Sequence, residues 1–234
     1  MMFGWFDPLY LVFVGPALLL TLFAQARIKW AFARAQELPA PVGLTGAQVA
    51  AHILRSSGVE GVGVEAGQGW LSDHYDPTTR VLRLSPEVYQ GRTLAAFGIA
   101  AHEAGHAIQH GQGYAPLKLR NGLVSLASLG GNFSMILFLV GMLLASAQLF
   151  LIGIVLFSAT VLFQLVNLPV EFDASARARR LLLQLGLVGP TEDREVGKVL
   201  NAAALTYVAA TLSAIMTLLY YVVQYLALAQ RERD

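Results

Sequence analysis

Residues 121–170 read NGLVSLASLGGNFSMILFLVGMLLASAQLFLIGIVLFSATVLFQLVNLPV. These about 50 residues contain no Asp, Glu, Lys or Arg, enough apolar chain for two bilayer-crossing helices of roughly 20 residues each. Ser146-Ala147-Gln148 falls near the middle of the run and predicts a helical hairpin bending there. Two more spans flank it. Leu9 to Ala24 is uncharged and bounded by Trp5 on one side and by Arg27, Lys29 and Trp30 on the other, the aromatic and basic anchors of a membrane interface. Leu200 to Ala229 is uncharged as well. Ala24-Gln25-Ala26 resembles a signal-peptide cleavage site, but no Lys or Arg precedes the apolar run and basic residues follow it, so the first span is expected to stay as an anchor.

The expected class is therefore mainly α: an integral membrane protein with four transmembrane helices and the lipid bilayer as a partner. The expected division is span one over 1–26, a soluble part over 27–120, the hairpin over 121–169, a soluble helical segment over 170–199 and span four over 200–230. A formal net charge of +1 offers no basic field for nucleic acid, and the absence of cysteine is compatible with a reducing compartment. Nine Lys or Arg fall between residues 25 and 120 and five between 169 and 199, whereas the hairpin bend has none. The positive-inside rule then makes the soluble segments cytoplasmic and the membrane the inner one, with Arg231 and Arg233 in the tail as a small contrary signal.

Within 27–120, Thr45 predicts the cap of a short helix running to about Gly58, and Thr93 that of a longer one through Gln109. Between them, Val62, Val64 and Val81-Leu82-Arg83-Leu84 alternate around glycines and the turn Asp76-Pro77-Thr78-Thr79. This predicts a small antiparallel β-sheet over 61–85, followed by a helical turn from Ser85-Pro86-Glu87.

The second helix carries His102-Glu103-Ala104-Gly105-His106. Residues i and i+4 share a helix face, so both imidazoles can reach one cation, and the carboxylate between them lies beside the position of an attacking water. This HExxH pattern predicts a Zn2+ site of gluzincin type with Glu103 as general base. Catalytic zinc usually takes three protein ligands, and Glu171 is the expected third. It follows Pro169 and opens a helical run whose Ala174 and Ala178 share its face, while Ala100, Ala101, Ala104 and Gly105 give the motif helix a small surface for close approach. The rivals are weaker: His110 is two turns from His102, about 12 Å along the axis, and Asp173 points to another face and suits an i,i+4 pair with Arg177. His74 stands beside the sheet's turn, where it could stabilise an oxyanion, occupy the open zinc position or merely organise the turn. Arg177 could likewise anchor substrate or pair with Asp173.

Several runs together resemble the YugP-like membrane zinc metallopeptidases of bacteria and, more distantly, the HtpX-type membrane proteases. They are the helix from Gly46, Leu71-Ser72-Asp73-His74-Tyr75-Asp76-Pro77, Arg83-Leu84-Ser85-Pro86, His102 to Gln109, and Leu168-Pro169-Val170-Glu171-Phe172-Asp173-Ala174-Ser175. The resemblance implies a membrane zinc endopeptidase with ligands His102, His106 and Glu171 and base Glu103. HtpX-type proteins carry an Asp four residues after the ligand Glu, and this chain has Ser175 there, so either Asp173 or Ser175 is left to orient a zinc histidine. The expected substrate is polypeptide, held by β-pairing near Arg80 to Leu84, and the resemblance to HtpX-type proteases implies that it is unfolded or misinserted. A homo-oligomer or a membrane protein partner is compatible with the sequence. The competing classes are an inactive zinc-binding scaffold or adaptor and a zinc sensor or transporter; Glu103 counts against both, since metal binding alone requires no carboxylate there.

Overall fold

The computed structural model describes residues 8–69 and 72–232, so Trp5, Leu71 and Arg233 lie outside it. The described elements run α1 (Pro8–Gln36), α2 (Gly46–Ser56), β1 (Gly63–Ala66), β2 (His74–Asp76), β3 (Val81–Leu84), α3 (Pro86–Tyr89), α4 (Leu94–Gly111), α5 (Ala115–Leu143), α6 (Ala147–Gln184) and α7 (Pro190–Arg231). Helices α1, α5, α6 and α7 are each long and apolar enough to cross a membrane. The chain divides into two compact units, one of residues 1–24, 119–168 and 206–234 and the other of 25–118 and 169–205.

The first unit is built from the apolar parts of those four helices. Its outward faces show Leu11, Val12, Leu18, Leu19, Phe133, Ile136, Leu143 and Val155 more than half exposed or nearly so, a surface that water would not tolerate and lipid would. Inside, Phe138, Phe150, Phe157 and Val161 pack together, with Tyr221 stacked on Phe138 at a ring separation of 3.6 Å. Gly130 lets α5 meet α6 closely, since a Cβ there would lie 2.5 Å from the Leu156 carbonyl oxygen. The protein is a multi-pass membrane protein.

The second unit holds the remaining chemistry around a core of Val49, Ile53, Leu82, Leu84, Phe97, Leu182, Val196 and Val199. Helix α2 starts as its residues dictate: the Thr45 hydroxyl accepts from the Gln48 N–H while the Gln48 side chain accepts from the Thr45 N–H. Thr93 caps α4 by accepting from the Ala96 N–H, and α4 then runs unbroken to Gly111. Segment 170–199 supplies two helix portions to this unit: its first half completes α6 and its second half begins α7, with Arg179 gripping Asp193 across the connection through two hydrogen bonds.

The sheet is mixed rather than antiparallel. Strand order is β1-β3-β2, with β2 antiparallel and β1 parallel to β3. Side-chain alternation has period two in both arrangements, so the pattern in the sequence could not separate them. The Asp76 to Arg80 turn makes β2 and β3 a hairpin, with Arg80 in the left-handed region at φ 56°, and the passage after Ala66 carries the chain around to β3's far side. In consequence Arg80 to Leu84 is no edge for a substrate. β3 is hydrogen-bonded on both sides and its Leu82 and Leu84 are fully buried.

Candidate metal centre

The histidines of α4 and the acid of α6 converge. His102 Nε2 lies 3.2 Å and His106 Nε2 3.6 Å from Glu171 Oε2, and one donor atom from each of the three residues falls within 4.8 Å of the others. Zinc held tetrahedrally at its usual bond lengths needs donors about 3.3 Å apart, so these separations suit the ion. The donors are shielded yet reachable, at 12 and 13 % side-chain exposure for the histidines and 4 % for Glu171. Close packing of the two helices makes the convergence possible: a Cβ at Gly105 would stand 2.8 Å from the Ala174 carbonyl oxygen, and Ala100, Ala101, Ala104, Ala174 and Ala178 are fully buried around it. Glu171 is not a helix N-terminal carboxylate in solvent; it lies inside α6, two residues after the helix-internal Pro169.

Each ring presents Nε2 to the cluster and Nδ1 to an orienting partner. His102 Nδ1 meets Ser175 Oγ at 3.2 Å, and His106 Nδ1 meets Gln109 Oε1 at 3.0 Å. Of the two residues considered for orienting a zinc histidine, Ser175 is thus the one touching a ring. Asp173 touches none; it accepts from Gln109 Nε2 at 2.8 Å and from Arg177 Nε at 2.5 Å. Arg177 also donates to Gln112 Oε1 at 2.6 Å and lies over the Tyr114 ring, so it is engaged in joining the helices. For His106, burial opposes the charged form, but the Glu171 carboxylate, the charge of Glu103 and the Gln109 contact outweigh it and raise the pKa above the usual value.

Glu103 is 8 % exposed on the same helix, and its charge acts on both His106 and Asp73. Asp73 accepts from the Ser85 N–H at 2.8 Å and from the Ser85 hydroxyl. Burial raises its pKa, Ser85 pulls the other way, and the neighbouring Glu103 charge adds to the rise. His74 is exposed with Nδ1 on the Ser72 carbonyl at 2.8 Å and is not among the gathered donors. Its neighbours are occupied in building: the Tyr75 hydroxyl meets His110 Nδ1 at 2.8 Å, tying β2 to α4, while Asp76 accepts from Thr78, Thr79 and Arg83. The residues that sequence reasoning passed over are Gln109 and Asp73. Both stand inside the runs that carry the resemblance, which was the only signal for them.

Comparison with known proteins points the same way. A family described as "Putative neutral zinc metallopeptidase" matches residues 10–226. The chain is 45 % identical over 218 residues to "Putative membrane protease YugP" of Bacillus subtilis (strain 168), covering 93 % of this chain and 97 % of that one. No solved structure matches significantly. With a family match spanning nearly its whole length and a relative aligned almost end to end, the chain belongs to the YugP-like zinc metallopeptidase family.

Proposed function

We propose that this protein is a membrane-anchored zinc endopeptidase, with His102, His106 and Glu171 as ligands and Glu103 as general base. The convergence of three donors from two helices, beside a shielded carboxylate on the ligand helix, carries the reading. When bound, zinc supplies Lewis acidity to a water and to the scissile carbonyl. Glu103 takes the proton from the water and returns it to the departing amine, for which its place between the two histidines on α4 suits it. Ser175 and Gln109 hold the imidazoles so that Nε2, not Nδ1, faces the ion. Asp73 fixes the entry to β2 against Ser85. Substrate binds as an extended chain along the outer side of β2, which among the described strands has a partner only in β3. His74 begins that strand and would contact substrate there.

In this reading the apolar stretches near 9–24, 121–169 and 200–229 cross the inner membrane, and 27–120 with 170–199 form the cytoplasmic catalytic part, which the distribution of Lys and Arg supports. Backbone-directed binding beside a membrane suits unfolded or misinserted membrane proteins. The test is detergent-purified protein assayed for bound zinc and for cleavage of casein with and without chelator. We expect about one zinc per chain and chelator-sensitive cleavage. Glu103→Gln should keep the zinc and lose cleavage by a factor of at least about 100. Cleavage retained in that variant would remove Glu103 from its role, and a zinc-loaded parent inert towards many polypeptides would favour a scaffold. Glu171→Ala should lose most of its zinc at equal protein concentration; unchanged occupancy would exclude it as a ligand.

A further inference from the structure

Gln109 has a fully buried side chain whose three polar contacts are all made. Its Nε2 donates to the Val170 carbonyl oxygen at 2.8 Å and to Asp173 Oδ2 at 2.8 Å. Both partners only accept, so the amide cannot be turned over without facing its oxygen towards two other oxygens. Its Oε1 is therefore fixed towards His106 Nδ1, 3.0 Å away, and an amide oxygen accepts only. The ring must carry its proton on Nδ1, which leaves the Nε2 lone pair directed at the cluster. Asp173 is held in turn by Arg177, whose second contact, Gln112, returns to the end of α4. The loop of contacts closes across the two helices that carry the ligands, and Val170, the residue before Glu171, is one of its points.

We propose that Gln109 is a positioning residue that selects the metal-binding tautomer of His106 and, through Val170, keeps Glu171 in register with it, with Asp173 and Arg177 setting the sense of the amide. An amide interposed between histidine and carboxylate thus replaces the direct carboxylate that usually orients a zinc histidine. The inference rests on the metal-site reading above and adds what determines its geometry.

The test uses the full chain in detergent, stripped of metal, with Co2+ as probe. Imidazole 15N–1H correlation spectra at mildly alkaline pH, with His106 assigned by His106→Ala, should show the metal-free parent ring protonated on Nδ1. Gln109→Leu should lose that single tautomer and bind Co2+ roughly 10- to 100-fold more weakly in competition with a chromophoric chelator. Gln109→Glu keeps an acceptor facing the ring, with its second oxygen necessarily protonated to meet Asp173 and the Val170 carbonyl, and should retain the tautomer and lie between the two in affinity. An Nδ1-unprotonated ring in the parent overturns the proposal, and this measurement does not depend on any variant folding. So does a folded Gln109→Leu that binds Co2+ within twofold of the parent. A parent that binds no Co2+ would sink the metal site itself and this inference with it, whereas a binding parent matched by both variants would sink this inference alone.

Discussion

Individual side chains around the centre differ in how far sequence could foretell them. His102, Glu103 and His106 are legible because an i,i+4 face is a local property of one helix. Gln109 is not, because the partners that set its amide lie on another helix, about 60 residues away along the chain, and Ser175 was legible only as one of two alternatives beside Asp173. Ser175→Ala removes the only side-chain partner described for His102 Nδ1 and should weaken zinc binding roughly 10-fold with little change in metal-free stability, read by chelator competition and a thermal melt. Asp76 offers a different test. Hydrogen bonds from Thr79, Thr78 and Arg83 hold its pKa well below the ordinary carboxylate range, so the folded state favours the charged form. Its stabilisation is complete above the unfolded value of about 4 and is lost as pH falls towards the folded value. Asp76→Asn should therefore melt below the parent at neutral pH, and the gap between the two melting curves should narrow on acidification.

Among the elements, the long helices were readable from the absence of charge, and the caps of α2 and α4 from Thr45 and Thr93. The direction of β1 was not, since a parallel neighbour and an antiparallel one impose the same alternation, and only the chain's route around β3 decides. Nor could the sequence show that α6 passes through Pro169 without ending, because proline deletes one hydrogen bond but tertiary packing can hold the helix across it. The α4 and α6 contact is the element on which the centre depends. Gly105→Ala would gain up to about 1 kcal/mol of helix propensity, yet the added methyl would meet the Ala174 carbonyl at 2.8 Å, an overpacking that costs about 1–3 kcal/mol. We expect a modest fall in melting temperature and a larger fall in zinc affinity, because separating the helices separates the histidines from Glu171. Unaltered affinity would show that the close approach is dispensable.

At the scale of the whole chain, four apolar stretches conveyed the helices able to cross a membrane, while the return of charge at Glu171 did not show that α6 continues unbroken to Gln184. The absence of cysteine makes topology directly measurable. In inverted and right-side-out vesicles, Ser146→Cys should react with an impermeant thiol reagent from the external face, and Ser56→Cys, at an exposed position, from the cytoplasmic face. The opposite pattern would reverse the orientation. Helix α6 spans 38 residues, about 57 Å, roughly twice the hydrocarbon thickness, and Glu171 lies on it beyond the uncharged run. During synthesis the two imidazoles leave the ribosome some 65 residues before this carboxylate, which arrives only behind the second arm of the hairpin. A nascent chain halted within that arm would lack one of the three gathered donors, so any ion held between the helices must await synthesis of the whole hairpin.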